Sequence, residues 1–435
     1  MSTILKHIKN IGSWGNYHKI KSQLHFMKSG TLPASVKDKE YISHGNGRSY
    51  GDCALHENSL MTIQSNKILS FDIQKGILQC ESGALLSDII VEILPDKWFL
   101  PVTPGTKYIT VGGAIAADVH GKNHHKNGCF SHHVISLKLA LPEGDILNCS
   151  KNENAELFRA TCGGMGLTGV ILEATIQLLP IKSAFIDQYT IQTNNLKETF
   201  RAFEENQEAS YTVAWIDALA KKANTGKGLL LVGEHAKDNN FEFSFRKKIN
   251  VPTWFPSFLL NPWSIAVYNK YYYRSYTKTS EKVSLDSFFY PLDAVDNWNR
   301  IYGSKGFLQY QVVIPKKNAY QGIMELLDAV VKSNHVSYLT VLKLLGKENE
   351  NYLSFPLEGY TIAMDFKIKK GVFDFLNQLD KIVVGYEGRG YLAKDARMSK
   401  AFFETGYPKL VAFKNIRKQY KLERLQSLQS KRLGL

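Results

Sequence analysis

Three histidines crowd into the run HGKNHH at residues 120–125, directly behind the glycine-rich stretch VGGAIAADV at 111–119. Imidazoles at that density can ligate a metal, move protons or sit against a cofactor. His120 and His124 have the i, i+4 spacing of a helical zinc site, but Gly121 and Asn123 between them disfavour a helix by roughly 1 kcal/mol, and the glutamate of an HExxH site is missing. The expectation is no metal, with His124 and His125 as hydrogen-bonded residues of a loop. Three glycine clusters offer a different chemistry: HGNGRSYGD at 44–52, PGTKYITVGG at 104–113 and CGGMGLTG at 162–169. Glycines adopt positive φ and let backbone N–H groups close on an anion. None of the three fits the GxxxxGK[ST] phosphate loop or a GxGxxG that follows a strand, which disfavours an ordinary nicotinamide-binding domain. Several separated glycine turns suit a large, extended ligand touched at many points, such as a flavin dinucleotide.

What must position these groups is an α+β chain. Short β-like runs at 68–73, 77–80, 134–141 and 170–179 surround a helical stretch at 84–93, without a βαβ repeat, and PEGD at 142–145 reads as a hairpin turn joining the last two strands. After Pro180 the texture changes to longer elements with more aromatic residues. A chain of 435 residues exceeds one hydrophobic core, so two domains are expected, in series or interleaved.

At 44% hydrophobic and 22% charged residues the chain reads as a soluble globular protein. No secretory leader is legible in MSTILKHIKNI at 1–11, and no apolar run approaches the roughly 20 residues of a membrane span. We expect a cytoplasmic protein. Its cysteines, Cys53, Cys80, Cys129, Cys149 and Cys162, are odd in number and lack CxxC spacing, which suggests reduced thiols. The net charge of +14 calls for an anionic partner: nucleic acid, a membrane surface or a phosphorylated substrate. From 409 to 432, eight Lys or Arg residues face the single acid Glu423, as in a basic amphipathic helix or a solvated helix face. The aromatic and basic stretch 245–276 suits base stacking, a membrane interface, or core packing under a long loop.

Beyond these patterns, the sequence resembles the vanillyl-alcohol oxidase/p-cresol methylhydroxylase superfamily and, within it, the decaprenylphosphoryl-β-D-ribose 2′-oxidase family. The resemblance covers nearly the whole chain and rests on GRSYGD (47–52), PVTPGT (101–106), TVGGAI (110–115), HGKNHH (120–125), GGMGLTG (163–169), FYPLD (289–293), FLQYQVVIP (307–315) and YLAKD (391–395). It implies a two-part, PCMH-type FAD-binding domain, residues 1–181 and 389–435, with an inserted antiparallel-sheet substrate domain at 182–388. The cofactor residues it implies are Gly45, Asn46, Gly47, Arg48, Ser49 and Tyr50, then Pro104, Gly105, Thr106, Gly112 and Gly113, then Gly121 and Asn123, and finally Gly164, Gly166 and Gly169. Arg48 stands where relatives often carry the histidine that tethers the flavin, so non-covalent FAD is expected, with Arg48 near the pyrophosphate.

By the same resemblance Lys394, Tyr391 and His120 are catalytic, while Tyr50, Lys122, Trp215, Gln309, Gln311 and Lys343 bind substrate. Elementary chemistry agrees in part. Oxidising a secondary alcohol needs a proton acceptor and nearby positive charge. Gln309 and Gln311, two apart on a strand, project from one face and can hydrogen-bond sugar hydroxyls. Lys343, in VLKLL, is either a pocket charge wanting a partner or a surface-facing strand residue. Ala363 replaces a family cysteine beside the flavin, and Thr361 and Leu345 replace an amide and an aromatic residue. Inhibitors that capture that thiol are expected to fail here.

The activity implied is oxidation of the 2-hydroxyl of a polyprenylphosphoryl pentose at the inner membrane surface, with no nucleic-acid partner. A separate NAD(P)H-dependent short-chain reductase would complete the epimerisation. A soluble sugar, alditol or aldonolactone is the alternative substrate. A basic nucleic-acid- or lipid-binding protein without catalysis is the alternative class, and it predicts a colourless preparation.

Overall fold

Alternating burial along the chain builds three larger sheets, of four, five and eight strands. The computed structural model of the protein describes residues 8–27, 31–276 and 280–435; residues 1–7, which the reading of the amino terminus includes, lie outside the described residues. In the four-stranded sheet Ile8–Gly12 pairs antiparallel with Lys19–Phe26, and Asn58–Met61 runs parallel to both Lys19–Phe26 and Ile42–His44. The first glycine loop leaves the end of Ile42–His44, so this sheet fixes its origin.

The five-stranded sheet is antiparallel, in the order Ile68–Asp72, Ile77–Glu81, Val170–Gln177, Val134–Ala140 and Ile146–Ser150. The PEGD turn therefore returns Val134–Ala140 onto Ile146–Ser150, and not onto Val170–Gln177, which pairs along the opposite edge. A tight turn can only return the chain to the segment that follows it. That edge strand, ILNCS, buries one residue of five and so carries no apolar alternation to read. Helix Leu86–Ile93 buries Leu86, Ile89, Ile90 and Ile93, the 3-4-7 spacing of an amphipathic stripe. With the helices, these sheets give mixed α/β content around antiparallel pairing.

The eight-stranded sheet runs Glu281–Ser284, Phe185–Thr193, Gly228–His235, Tyr211–Ile216, Ser337–Leu345, Gly359–Lys367, Phe307–Pro315 and Arg389–Gly390. Helices Leu196–Glu205, Lys316–Lys332 and Val372–Gly385 pack on one face of it. Leu308, Tyr310, Val312 and Ile314 of one central strand are buried, as are Tyr360, Ile362, Met364 and Phe366 of its neighbour. The alternate residues of those strands look the other way, and that second face matters below.

Two expectations are corrected here. The basic carboxy-terminal stretch is not one amphipathic helix but two, Leu410–Gln419 and Leu428–Leu433, and much of its charge is used inside the protein. Arg417 is buried, with its guanidinium donating to the carbonyls of Leu167, Leu422 and Leu425. Arg432 pairs with Asp52 at 2.7 Å and Asp395 at 2.9 Å, while Lys431 pairs with Glu40 at 2.6 Å on the surface. Of the readings of 245–276, core packing holds only in part: Val251 and Ile265 are buried, but Trp254, Phe258, Trp263 and Tyr271 are exposed. All five cysteines are free and buried. Among the described residues no helix is long and apolar enough to cross a membrane.

Candidate active site

Strand registers bring the expected substrate residues onto the open face of the eight-stranded sheet. Gln311 stands opposite Ala363, Ala363 opposite Val341, and Val341 opposite Trp215. Flanking this row, Gln309 stands opposite Asp365 and Lys343 opposite Thr361. Side chains two apart share a face, so Trp215, Lys343, Gln309 and Gln311 stand together. Gln311 Nε2 donates to Thr361 Oγ1 at 3.3 Å and lies 3.2 Å from His120 Nε2. Asp365, which the sequence reading missed, is fully buried and accepts from Gln309 Nε2 at 2.7 Å and Tyr302 Oη at 3.4 Å. A signal was available: an acid inside the apolar run TIAMDF, two residues beyond Ala363, invites the argument made for Lys343.

The first glycine loop meets the returning carboxy-terminal segment at the edge of this face. Tyr50 N donates to Ala393 O at 3.2 Å. A Cβ on Gly51 would lie 1.7 Å from Asp395 O, so only glycine allows the approach. The contact sets the Lys394 ammonium 3.6 Å from the centre of the Tyr50 ring, a cation–π geometry. Burial lowers Lys394 to about 7, with Asp365 opposing the shift and Lys343 adding to it. Burial also lowers Lys343 to about 8 and, helped by Lys343, Lys122 to about 7. Asp365 moves the other way, up to about 7, because burial outweighs Gln309 and Lys394. Lys122 donates to Phe288 O. Lys343 has neither a hydrogen bond nor an ion pair among the described residues. The site carries an excess of positive charge.

Beside it, the glycine loops form a cradle with open places. A Cβ added at Gly105 meets nothing within 4 Å, one at Gly47 meets only the His44 ring at 3.4 Å, and one at Gly113 meets only Thr110 Oγ1 at 3.0 Å. Arg48 Nε, Ser82 Oγ and His120 Nδ1 are buried without a hydrogen-bond partner. Orphaned polar atoms beside unfilled glycine turns fit an extended, polar cofactor. Arg48 also lies 4.2 Å over the Trp14 ring. Asn46 ties the first two loops together, donating to Tyr108 O at 2.8 Å, and the Ser49 carbonyl accepts from Trp14 N. Thr106 Oγ1 accepts from Tyr108 N at 3.2 Å in the turn that follows Pro104.

Other glycines answer to packing. A Cβ would reach Thr110 Oγ1 from Gly45, Asn123 Oδ1 from Gly121, Ala160 O from Gly164 and the Leu139 side chain from Gly169, all within 2.6 Å. Gly112 abuts Ser82, and Gly166 holds a left-handed φ of 76° with Ile42 3.6 Å away.

The histidine run divides in the same way. Helix His124–Asn127 begins only at His124, so His120 and His124 share no helix face. His124 Nδ1 accepts from Gly346 N at 3.0 Å and His125 Nε2 bonds Ala209 O at 2.8 Å, the hydrogen-bonded structural roles expected of them, but on a short helix and not in a loop. Asn123 Nδ2 donates to Pro101 O at 2.7 Å. Among the described residues no group of three His, Cys, Asp or Glu side chains is arranged to hold a metal. His120 faces the site, and burial, Lys343, His124 and Lys394 push it well below its usual value, so the ring is neutral. Tyr391 donates its hydroxyl to Ala117 O at 3.1 Å, stacks on Phe355 at 4.5 Å and packs 5.3 Å from His120.

Comparison with known proteins points to the same cofactor. A model of the FAD-binding domain matches residues 34–150. Decaprenylphosphoryl-β-D-ribose oxidase of Mycolicibacterium smegmatis is 35% identical over 407 residues, 90% of this chain and 88% of that protein. An uncharacterised protein of Streptomyces coelicolor, from the mprA 5′ region, is 27% identical over 75% of this chain and 92% of its own length. L-Gulonolactone oxidase of Bos taurus is 28% identical over 40% of this chain and 38% of its own.

Proposed function

This chain belongs to the decaprenylphosphoryl-β-D-ribose oxidase family of FAD-dependent oxidoreductases, and on that premise we propose that it oxidises the 2-hydroxyl of a polyprenylphosphoryl-β-D-ribose to the 2-keto sugar. The observation that carries the reading is the charge of the site. Lys122, Lys343 and Lys394 converge on it with one carboxyl, Asp365. A phosphorylated sugar supplies the missing negative charge, whereas a neutral sugar leaves Lys343 unpaired.

Gly47, Arg48, Ser49, Gly105, Thr106, Gly113 and Ser82 would hold the FAD, which when bound would supply the acceptor for the hydride of the carbinol carbon. Lys394 takes the hydroxyl proton on Nζ: held down to about 7, it is neutral often enough to act as a base at neutral pH. The lost hydride and proton together leave the carbonyl. Lys343 attracts the phosphate, and Gln309 and Gln311 offer their amide oxygens to the sugar hydroxyls. Neutral His120 and the anchored ring of Tyr391 shape the floor of the site. Residues 1–181 with 389–435 form the cofactor part and 182–388 the substrate part, with strand Arg389–Gly390 as the seam. The keto sugar passes to a separate NAD(P)H-dependent reductase, and the lipid-linked substrate calls for peripheral contact with the cytoplasmic face of the membrane.

Adding polyprenylphosphoryl ribose anaerobically tests the assignment. The yellow colour should bleach; a yellow protein that bleaches only with a soluble alditol or aldonolactone would overturn the substrate. Acid precipitation is expected to release FAD into the supernatant, since Arg48 offers no nucleophile for a covalent tether, and flavin retained in the pellet would refute this.

Cysteine reactivity gives a further expectation. All five native thiols are buried, and burial pushes Cys53 up to about 12, so the folded protein should take up no iodoacetamide. Ala363→Cys sets a thiol on the open sheet face beside Gln311 and should gain one adduct by intact mass. Labelling of the parent protein at equal speed would contradict both statements.

A further inference from the structure

We propose that helix Pro262–Ser275 and the loop leading into it form a face that docks into the surface of an anionic lipid bilayer and holds the mouth of the site against it. The inference rests on the lipid-linked substrate proposed above and supplies the surface that such a substrate requires.

The helix is turned inside out. It is firmly started, with Asn261 Oδ1 accepting from Trp263 N and Ser264 N and Pro262 in its first turn. Its protein-facing stripe buries Ile265 and Asn269, and the Asn269 amide is anchored on Asp217 Oδ1 at 2.7 Å. Its outward stripe, at the i, i+4, i+8 spacing, is Trp263, Val267 and Tyr271, exposed at 75%, 52% and 71%. The preceding loop adds Trp254 at 79% and Phe258 at 74%. A helix that buries its amide and shows tryptophan and tyrosine to the outside carries an apolar face without a partner among the described residues. Large amphipathic rings of this kind settle at the boundary of headgroups and acyl chains.

Charge selects the occupant. Between Glu242 and Glu281 the sequence has no acid but six Lys or Arg residues. Of these Lys247, Lys270 and Arg274 are exposed and make no ion pair among the described residues. Aromatic residues interleaved with unpaired cations match an anionic lipid surface. Position selects the function. Tyr272, on the same helix, stacks 5.6 Å from the exposed Tyr268 ring on one side and meets Trp215 edge-on at 5.0 Å on the other. Trp215 belongs to the open sheet face, so one ring separates the docking surface from the site.

The test uses the full-length, FAD-loaded protein and a combined Trp254→Ser, Phe258→Ser, Trp263→Ser variant. None of the three rings has an aromatic partner among the described residues, and FAD content reports that the fold is kept. The parent should float with phosphatidylcholine vesicles that contain phosphatidylglycerol, and less with phosphatidylcholine alone. The variant should partition roughly tenfold less, yet reduce its flavin at the parental rate with a short-chain, water-soluble polyprenylphosphoryl ribose. Equal flotation of parent and variant overturns the proposal, as does a lipid-free self-association that the variant abolishes, which would make the face a subunit interface. Flotation that is intact in a protein whose flavin ignores the short-chain substrate supports the docking face and sinks the substrate assignment alone.

Discussion

Lys394→Met is expected to slow reduction of the bound flavin by roughly 10² to 10⁴, the range a positioned base contributes, while leaving FAD content unchanged. The contact of its ammonium with the cradle is through Tyr50, whose ring centre lies 3.6 Å away. Methionine keeps the length and removes the proton acceptor. The sign of the pH dependence follows from the direction of the shift. Burial lowers Lys394 to about 7, so the base form is scarce below that pH and complete above it. The parental reduction rate should rise through neutrality and level off, whereas the variant should show no such rise. Asp365 titrates in the same range and faces the same space, so the inflection belongs to the pair. Asp365→Asn removes the charge that holds Lys394 up and should move the inflection to lower pH. Stopped-flow reduction across this range decides the matter, and a Lys394→Met enzyme that keeps the parental rate and profile would remove the lysine from the mechanism.

Lys343→Met should weaken the enzyme and strengthen the protein. A half-buried ammonium without a partner among the described residues costs folding free energy, and its depression from 10.5 to about 8 corresponds to roughly 3 kcal/mol. The penalty is fully present below pH 8, where the folded protein must hold the charge, and it fades as pH rises towards 10.5. Methionine of similar volume removes it, so the variant should melt several degrees higher at pH 7, with the gap closing by pH 10. The same change deletes the cation facing the substrate phosphate. Losing one partner of a desolvated pair costs roughly 2–5 kcal/mol, which predicts a substrate KM raised by about 30-fold or more. Equal melting temperatures at pH 7, or an unchanged KM, would show that Lys343 already has a partner.

Local signals made part of this architecture readable. The glycine clusters, the alternation of Gln309 and Gln311 and the stray charge at Lys343 each report a backbone or solvation requirement that is visible within a few residues. What escaped depends on distant partners. Ile146–Ser150 is a strand because Val134–Ala140 pairs with it, and its own residues carry almost no apolar pattern. Arg417 looked like a surface cation because the carbonyls it caps include one 250 residues away. The glycines at 164 and 169 looked like the others, yet it is the Ala160 carbonyl and the Leu139 side chain that require them. Asp365 is legible by the rule applied to Lys343, since a charge inside the apolar run TIAMDF requires a partner.

Arg432 joins the first glycine loop to the segment that carries Lys394, through Asp52 and Asp395, across a separation of 380 residues on the first side. Ribosomes add about 5–20 residues per second, so residue 432 emerges roughly 20–80 s after residue 52. Throughout that interval the nascent chain has a glycine turn but no clamp to close it against the lysine segment. Capture of the cofactor in its final geometry is thus a late event in the life of each molecule, and the cell must shelter an open, half-built cleft until it happens.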